Sequence, residues 1–255
     1  IPHELIDIAD PSEEWNVVRF QREAKAAIQR ITAKGRLPVL VGGTGFYIQA
    51  LLYDIDFTET REDTAYRSLL EEKARTEGNE SLYRMLQEKD PEAAAAIHQN
   101  NLKRVIRALE FTRETGEKIS DHNEEQRKRL PAYDAVFFVL TMEREKLYRR
   151  IDLRVDQMMK AGLLEEVKRL QEQGFTSRDV SMQGLGYKQI LQYLEGEGTL
   201  EDAVEQIKLQ TRHFAKRQLT WFRREKDVIW VNTDEFPSRE EMLDYMENTI
   251  RTRFS

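Results

Sequence analysis

Apolar residues recur at three- and four-residue spacing through most of this chain, and they merge into strand-length runs at three places. Val17, Phe20, Ala24, Ile28 and Ile31 fall on one helical face, so residues 13–34 read as an amphipathic helix closed by Gly35. Before it, the short apolar run Leu5-Ile6-Asp7-Ile8 ends in an Asp10-Pro11-Ser12 turn. After it, Leu37-Pro38-Val39-Leu40-Val41 leads into Gly42-Gly43-Thr44-Gly45, and the apolar segment 46–52 follows at once. That order predicts a buried strand, a tight turn and a helix start. From residue 58 to about 130 strand character disappears. Segments 62–77 and 80–88 suit helices, and Asp90-Pro91 starts another through the alanines at 93–96. Asn100 opens a helix with Leu102, Val105, Ile106 and Leu109 on one side, closed by Gly116. The polar run 117–129 reads as an exposed linker.

Sheet character returns at 135–141. Leu147, Ile151, Val155 and Met158/Met159 then stripe a long helix that stops near Gly162, and Leu163, Val167 and Leu170 a second that ends at Gly174. A short helix to Gly196, a basic helix over 200–225, a strand at Val228-Ile229-Trp230-Val231 and an amphipathic helix over 238–252 complete the chain. A helix feeding a buried strand is the grammar of an α/β sheet. Three strands are too few for a doubly wound sheet of ordinary size, so further strands are expected upstream of Ile1.

Composition narrows the class. The 255 residues are 40% hydrophobic, which supports a packed core, and 34% charged with only 12 glycines and 6 prolines, which favours helix. No apolar run reaches the roughly 18 residues of a membrane span. The absence of cysteine excludes disulfides and thiolate metal sites and fits a cytoplasmic protein. A chain that opens Ile1-Pro2-His3 reads as a fragment. The net charge of −6 does not advertise a nucleic-acid binder, but phosphate is read by local patches rather than by the total.

Such patches exist. Lys103, Arg104 and Arg107 share a helix face opposite Leu102, Val105 and Leu109. Arg149, Arg150 and Arg154 lie on the helix after the second strand, with Arg150 and Arg154 pointing the same way. Between Lys208 and Lys226 there are seven basic residues against Glu225 alone. Ile207, Phe214 and Trp221 repeat every seven residues there and are expected in the core, leaving Lys208, Arg212 and Lys216 along another face. Each basic helix alone is more readily a solvated surface than a site; three together in an otherwise acidic chain suit a polyanion or a diphosphate. The glycine turn is likewise open between plain architecture and an anion cradle, where helix N–H groups and the Thr44 hydroxyl meet a phosphate. It is not a Walker A loop. The run Gln183-Gly184-Leu185-Gly186-Tyr187-Lys188 is either a helix-start turn or a loop whose aromatic stacks on a base. The four histidines, His3, His98, His122 and His213, lack metal-ligand spacing.

Together these stretches resemble the bacterial tRNA dimethylallyltransferases, also called tRNA isopentenyltransferases. The carriers, in the family's order and over nearly the whole chain, begin with Pro2-His3-Glu4-Leu5-Ile6-Asp7-Ile8, the run from Gly35 to Tyr47, and Ile97-His98 leading to Arg104-Val105-Ile106-Arg107-Ala108-Leu109-Glu110. They continue with Leu147-Tyr148-Arg149-Arg150-Ile151 through Arg154-Val155-Asp156-Gln157-Met158, then Gly184-Leu185-Gly186-Tyr187-Lys188, and Ala215-Lys216-Arg217-Gln218-Leu219-Thr220-Trp221-Phe222.

The resemblance implies a P-loop-type α/β core, incomplete here, over 1–57 and 131–255, with an all-helical insertion over 58–130. It implies transfer of a dimethylallyl group from dimethylallyl diphosphate to N6 of the adenosine just 3′ of the tRNA anticodon, with Mg²⁺ as helper and the tRNA anticodon stem-loop as partner. No membrane association is implied, and a monomer is expected. By the same resemblance Thr44 and Arg154 stand near the reacting groups, with Gly42, Gly43, Gly45, Lys216 and Arg217 around the diphosphate. Arg67, Lys103, Arg104, Val105, Ile106 and Arg107, with Gln183, Gly184, Leu185, Gly186, Tyr187 and Lys188, stand at tRNA-contact positions. No metal ligand is expected from this chain. The family's phosphate loop and its aspartate-bearing motif have no counterpart after Ile1, so the chain by itself is expected to be inactive. The alternatives are a non-catalytic RNA-binding module and an enzyme that prenylates free adenine nucleotides.

Overall fold

A computed structural model describes residues 1–57 and 64–254. The chain forms two compact units, Ile1–Ile48 with Asp134–Ser255, and Gln49–Tyr133. The sequence boundary at residue 58 lies outside the described residues.

In the larger unit α1 (Val17–Thr32) starts where the Asn16 side chain accepts from the Arg19 N–H at 3.0 Å, and it buries Gln21, Ala24 and Ala27. Strand β1 (Phe137–Thr141) runs parallel to β2 (Val228–Asn232), with Val139 opposite Trp230 and Leu140 opposite Val231. Parallel neighbours need a long crossover. Here it consists of α8 (Arg144–Lys160), α9 (Leu163–Glu172), α10 (Tyr187–Leu194) and α11 (Leu200–Phe222). Their apolar stripes meet in one core of Val155, Leu163, Val167, Met182, Ile190, Leu191, Ala203 and Ile207. Burying each large aliphatic side chain contributes about 2 kcal/mol. Thr199 and Asp202 bond each other's backbone N–H at 3.1 Å, a capping box that fixes where α11 begins. The chain ends in α12 (Arg239–Phe254), which buries none of its residues.

The smaller unit holds the end of α2 (Gly45–Leu52), then α3 (Thr64–Glu77), α4 (Asn79–Lys89), α5 (Pro91–Ala96), α6 (Leu102–Thr115) and α7 (Ile119–Lys128). Its core joins Leu70, Leu82, Leu86, Val105, Ala108 and Leu109. Asp90, fully buried, caps α5 through the Ala93 N–H at 2.9 Å and accepts the Ser120 N–H of α7 at 2.9 Å. Desolvation pushes the Asp90 carboxyl up, but these hydrogen bonds outweigh it and hold the group below the ordinary carboxylate range. Glu110, with 7% of its side chain exposed, receives two guanidinium bonds from Arg67 at 2.8 Å.

Several expectations from the sequence are corrected. Leu37–Val41 is not a strand: no ladder partner for it exists among the described residues, and Val39 and Val41 are 74% and 88% exposed. The described sheet has two strands, not three. Residues 119–128 form α7 rather than a linker, because Ile119 packs on the core of the smaller unit and Ser120 is tied to Asp90. Phe214 lies at the surface under the Arg217 guanidinium, 5.7 Å from its ring; it shares the Ile207 side of α11 but lies two turns further along, beyond the core that Ile207 joins. The helix expected from residue 62 is described from Thr64, and the helix expected to open at Asn100 begins after Asn101.

Candidate functional site

The glycine turn and α11 meet side on. The carbonyl of Thr44 accepts the N–H groups of Tyr47 and Ile48 at 2.9 and 3.1 Å, so α2 starts there, with Thr44 exposed. The carbonyl of Gly43 accepts the side-chain N–H of Gln218 at 2.8 Å. A Cβ on Gly43 would stand 2.1 Å from Gln218 Nε2, and one on Gly45 would stand 2.2 Å from Trp221 Cδ1. Neither glycine has a left-handed φ, so close approach, not conformational freedom, requires them. Gly42 has nothing within 4 Å of such a Cβ. Phe46 meets the Trp221 ring edge-on at 6.4 Å, and Tyr47 stacks on Phe20 at 4.7 Å, which seats the start of α2.

His213, Lys216, Arg217, Thr220, Trp221 and Arg224 line an open depression of about 430 Å³ along α11. Their spacing of three, four, seven, eight and eleven residues is one helical stripe. Lys216, Arg217 and Arg224 make no ion pair with any described residue. The other basic residues of α11 are spent within the fold. Lys208 pairs with Asp156 at 2.8 Å and Arg212 with Asp152 at 2.6 Å, both on α8. The Asp156 contact raises the Lys208 pKa. The expected basic face of Lys208, Arg212 and Lys216 is thereby divided: the first two hold α8, and only Lys216 is left for a ligand. Beside the depression the Trp221 indole nitrogen is buried without a hydrogen bond of regular geometry. Burial pushes the nearby Glu225 carboxyl up, and the indole N–H opposes that shift.

Arg154 stands exposed on α8 and bonds to no described residue, the glycine turn included. In the second glycine run a 3-10 turn over Ser181–Gln183 precedes α10. Gln183 donates to the Ser177 carbonyl. Gly186 adopts φ 101°, and its N–H bonds the Gln189 side chain at 2.9 Å. The Tyr187 hydroxyl donates to Glu166, and burial together with that bond pushes its pKa up to about 12. Tyr187 is therefore a neutral donor already engaged, while Gln183, Gly184, Leu185 and Lys188 are exposed.

In the smaller unit Lys103 and Arg104 are exposed and Arg107 is half-buried on α6. Val105 and Ile106 are 0% and 4% exposed, so their side chains belong to the core of the smaller unit. Arg67 serves Glu110. No cluster of three or more histidines or carboxylates occurs among the described residues, and no step is assigned to the Mg²⁺ that the resemblance implies. Among them no helix is long and apolar enough to cross a membrane.

Reading the sequence for chemistry passed over Gln218, Thr220 and Arg224. Their signal was the helical spacing from His213, hidden within a run of seven basic residues.

These features were compared with known proteins. The family described as IPP transferase matches residues 1–225. A tRNA dimethylallyltransferase of Lachnoclostridium phytofermentans is 56% identical over 246 residues, 96% of this chain and 79% of that protein. The crystal structure of a full-length tRNA isopentenylpyrophosphate transferase from Bacillus halodurans matches with TM-score 0.70 and 42% identity, over 99% of this chain and 78% of that one. A eukaryotic dimethylallyltransferase acting on tRNA matches with TM-score 0.80 and 31% identity, over 97% of this chain and 66% of that one. Sequence and fold match these proteins along nearly the whole length of the chain, and the chain belongs to the IPP transferase family.

Proposed function

We propose that the protein transfers a dimethylallyl group from dimethylallyl diphosphate to N6 of the adenosine 3′-adjacent to the tRNA anticodon. The observation that carries this reading is the stripe of unpaired cations, Lys216, Arg217 and Arg224, beside the turn that starts α2. A diphosphate leaving group needs cations and N–H donors, and both are concentrated there. The N6 lone pair attacks C1 of the dimethylallyl group as the C1–O bond breaks. Diphosphate departs with the bonding electrons, and the N6 proton passes to base or solvent. The amine is a weak nucleophile, so positioning and charge stabilisation dominate. Thr44 and the turn donate to diphosphate oxygens, and Arg154 stabilises the leaving charge through its planar fork. Lys103 and Arg104 hold the RNA backbone, and the exposed part of the Gln183–Lys188 run meets its bases. On this reading the smaller unit is a helical insertion in a P-loop-like core, and the enzyme works as a cytoplasmic monomer with Mg²⁺ on its donor.

The test is incubation of the complete protein with unmodified tRNA and labelled dimethylallyl diphosphate. Label on tRNA carrying A at that site, with stoichiometric diphosphate release, is expected. No transfer to such a tRNA would overturn the proposal. Preference for AMP over tRNA in competition would reassign the acceptor to free nucleotides, and tight tRNA binding without turnover would leave a binding module.

A further inference from the structure

We infer that Gln218 is a positioning residue for the transfer step, acting through the backbone at Gly43–Thr44; the inference rests on the prenyl-transfer reading above. The Gly43 carbonyl can only accept, so the Gln218 group 2.8 Å away must be its amide N–H. The bond spans 175 residues of sequence and ties α11 to the start of α2. Its effect passes through the peptide plane. No cis peptide occurs among the described residues, and in a trans peptide the carbonyl oxygen and the following N–H point in opposite directions. Holding the Gly43 carbonyl towards α11 therefore turns the Thr44 N–H away from α11. That N–H donates to nothing in the described residues. It belongs to the group of N–H donors that a helix leaves unmet at its first turn. Gln218 thus sets the direction of the Thr44 N–H donor.

Two further contacts limit how the turn can move. Gly43 leaves room for the amide of Gln218, and Gly45 for the ring of Trp221, each at a distance no Cβ tolerates. The two side chains lie three apart on α11 and share a face, so they grip the turn at alternate residues. Lys216 and Arg217 immediately precede Gln218 on the same helix. Gln218 touches no reacting atom in this role; it directs groups that do.

The geometry makes a specific double-variant prediction. Gln218→Met keeps the volume and removes the donor. Gly43→Ala drives the flexible end of Gln218 off its seat, breaking the same bond from the other side. In the complete enzyme each single change is expected to lower kcat about 10- to 100-fold, the range for a misplaced catalytic group, with KM for tRNA within about twofold. The double variant Gly43→Ala/Gln218→Ala is expected to be no worse than Gly43→Ala or Gln218→Ala alone, because both remove one interaction. Hydrogen exchange adds a readout independent of turnover: amides of residues 42–48 should exchange at least about fivefold faster in Gln218→Met, with those of α8–α10 unchanged. Full kcat in Gln218→Met, multiplied losses in the double variant, or unchanged exchange at 42–48 would each overturn the inference. Wild-type protein that fails to prenylate tRNA would instead overturn the proposed function, and exchange at 42–48 would still decide whether Gln218 holds the turn.

Discussion

On the exposed face of α8 the Arg154 guanidinium bonds to no described residue, so a ligand meets it without first breaking a protein contact. Arg154→Ala is therefore expected to lower kcat about 10²-fold with tRNA affinity within about twofold, as measured by single-turnover prenyl transfer and by filter binding. Arg154→Lys should not restore it, because an ammonium offers no bidentate fork. Tyr187 behaves oppositely: its hydroxyl is committed to Glu166, and its pKa lies at about 12 against an ordinary 10.0. A pKa raised by folding means that the neutral form is favoured in the folded state. The stabilisation is complete below pH 10 and is lost as pH rises through about 12. The stability difference between wild type and Tyr187→Phe in urea unfolding should be flat up to pH 10 and shrink above it. At this scale the sequence is candid about residue type and silent about partners. Thr44 and Arg154 were singled out by motif, whereas Gln218 looked like filler in a basic helix because its partner is a backbone carbonyl far away in the chain.

Among the elements, the ion pairs divide α11 in two. Its first half is neutralised by Asp152 and Asp156 of α8, and its second half keeps its cations for solvent or ligand. In the smaller unit the pair joining α3 to α6 is structural: Arg67→Ala leaves Glu110 buried with two hydrogen bonds unmet. It should cost on the order of 3 kcal/mol in urea unfolding, and Glu110→Gln in the same background should recover part of it. Helices were legible wherever local spacing decides. Stripes such as Val105, Ile106 and Leu109 on α6, or Leu163 and Val167 on α9, are buried as their spacing required. Strands were legible only where a partner exists: 137–141 and 228–232 pair with each other, while Leu37–Val41 has the composition of a strand and no neighbour to hydrogen-bond it. A strand's existence is a property of two segments, and a single run cannot announce the second. The polar α7 was missed for the converse reason, since Ile119 and Ser120 are its visible anchors and neither makes a periodic stripe.

For the molecule as a whole, a net charge of −6 coexists with exposed cations on α6, α8 and α11, so affinity for a polyanion should be local and strongly salt-dependent. Arg104→Ala is expected to weaken tRNA binding with kcat at saturation unchanged, and to reduce the slope of log K against log salt by about one. An unchanged slope would remove Arg104 from the phosphate contacts. The seat of Trp221 has a consequence of another kind, an optical one. Of the three tryptophans, Trp15 lies 5.0 Å from the Arg19 guanidinium and Trp230 is part-exposed on β2, so both can be changed to Phe away from the glycine turn. The emission that remains then comes from a ring against Gly45, in the wall of the cationic depression, with its N–H shielded from water. Blue-shifted fluorescence that changes as pyrophosphate is titrated in would turn a packing contact into a gauge of occupancy, readable without any turnover.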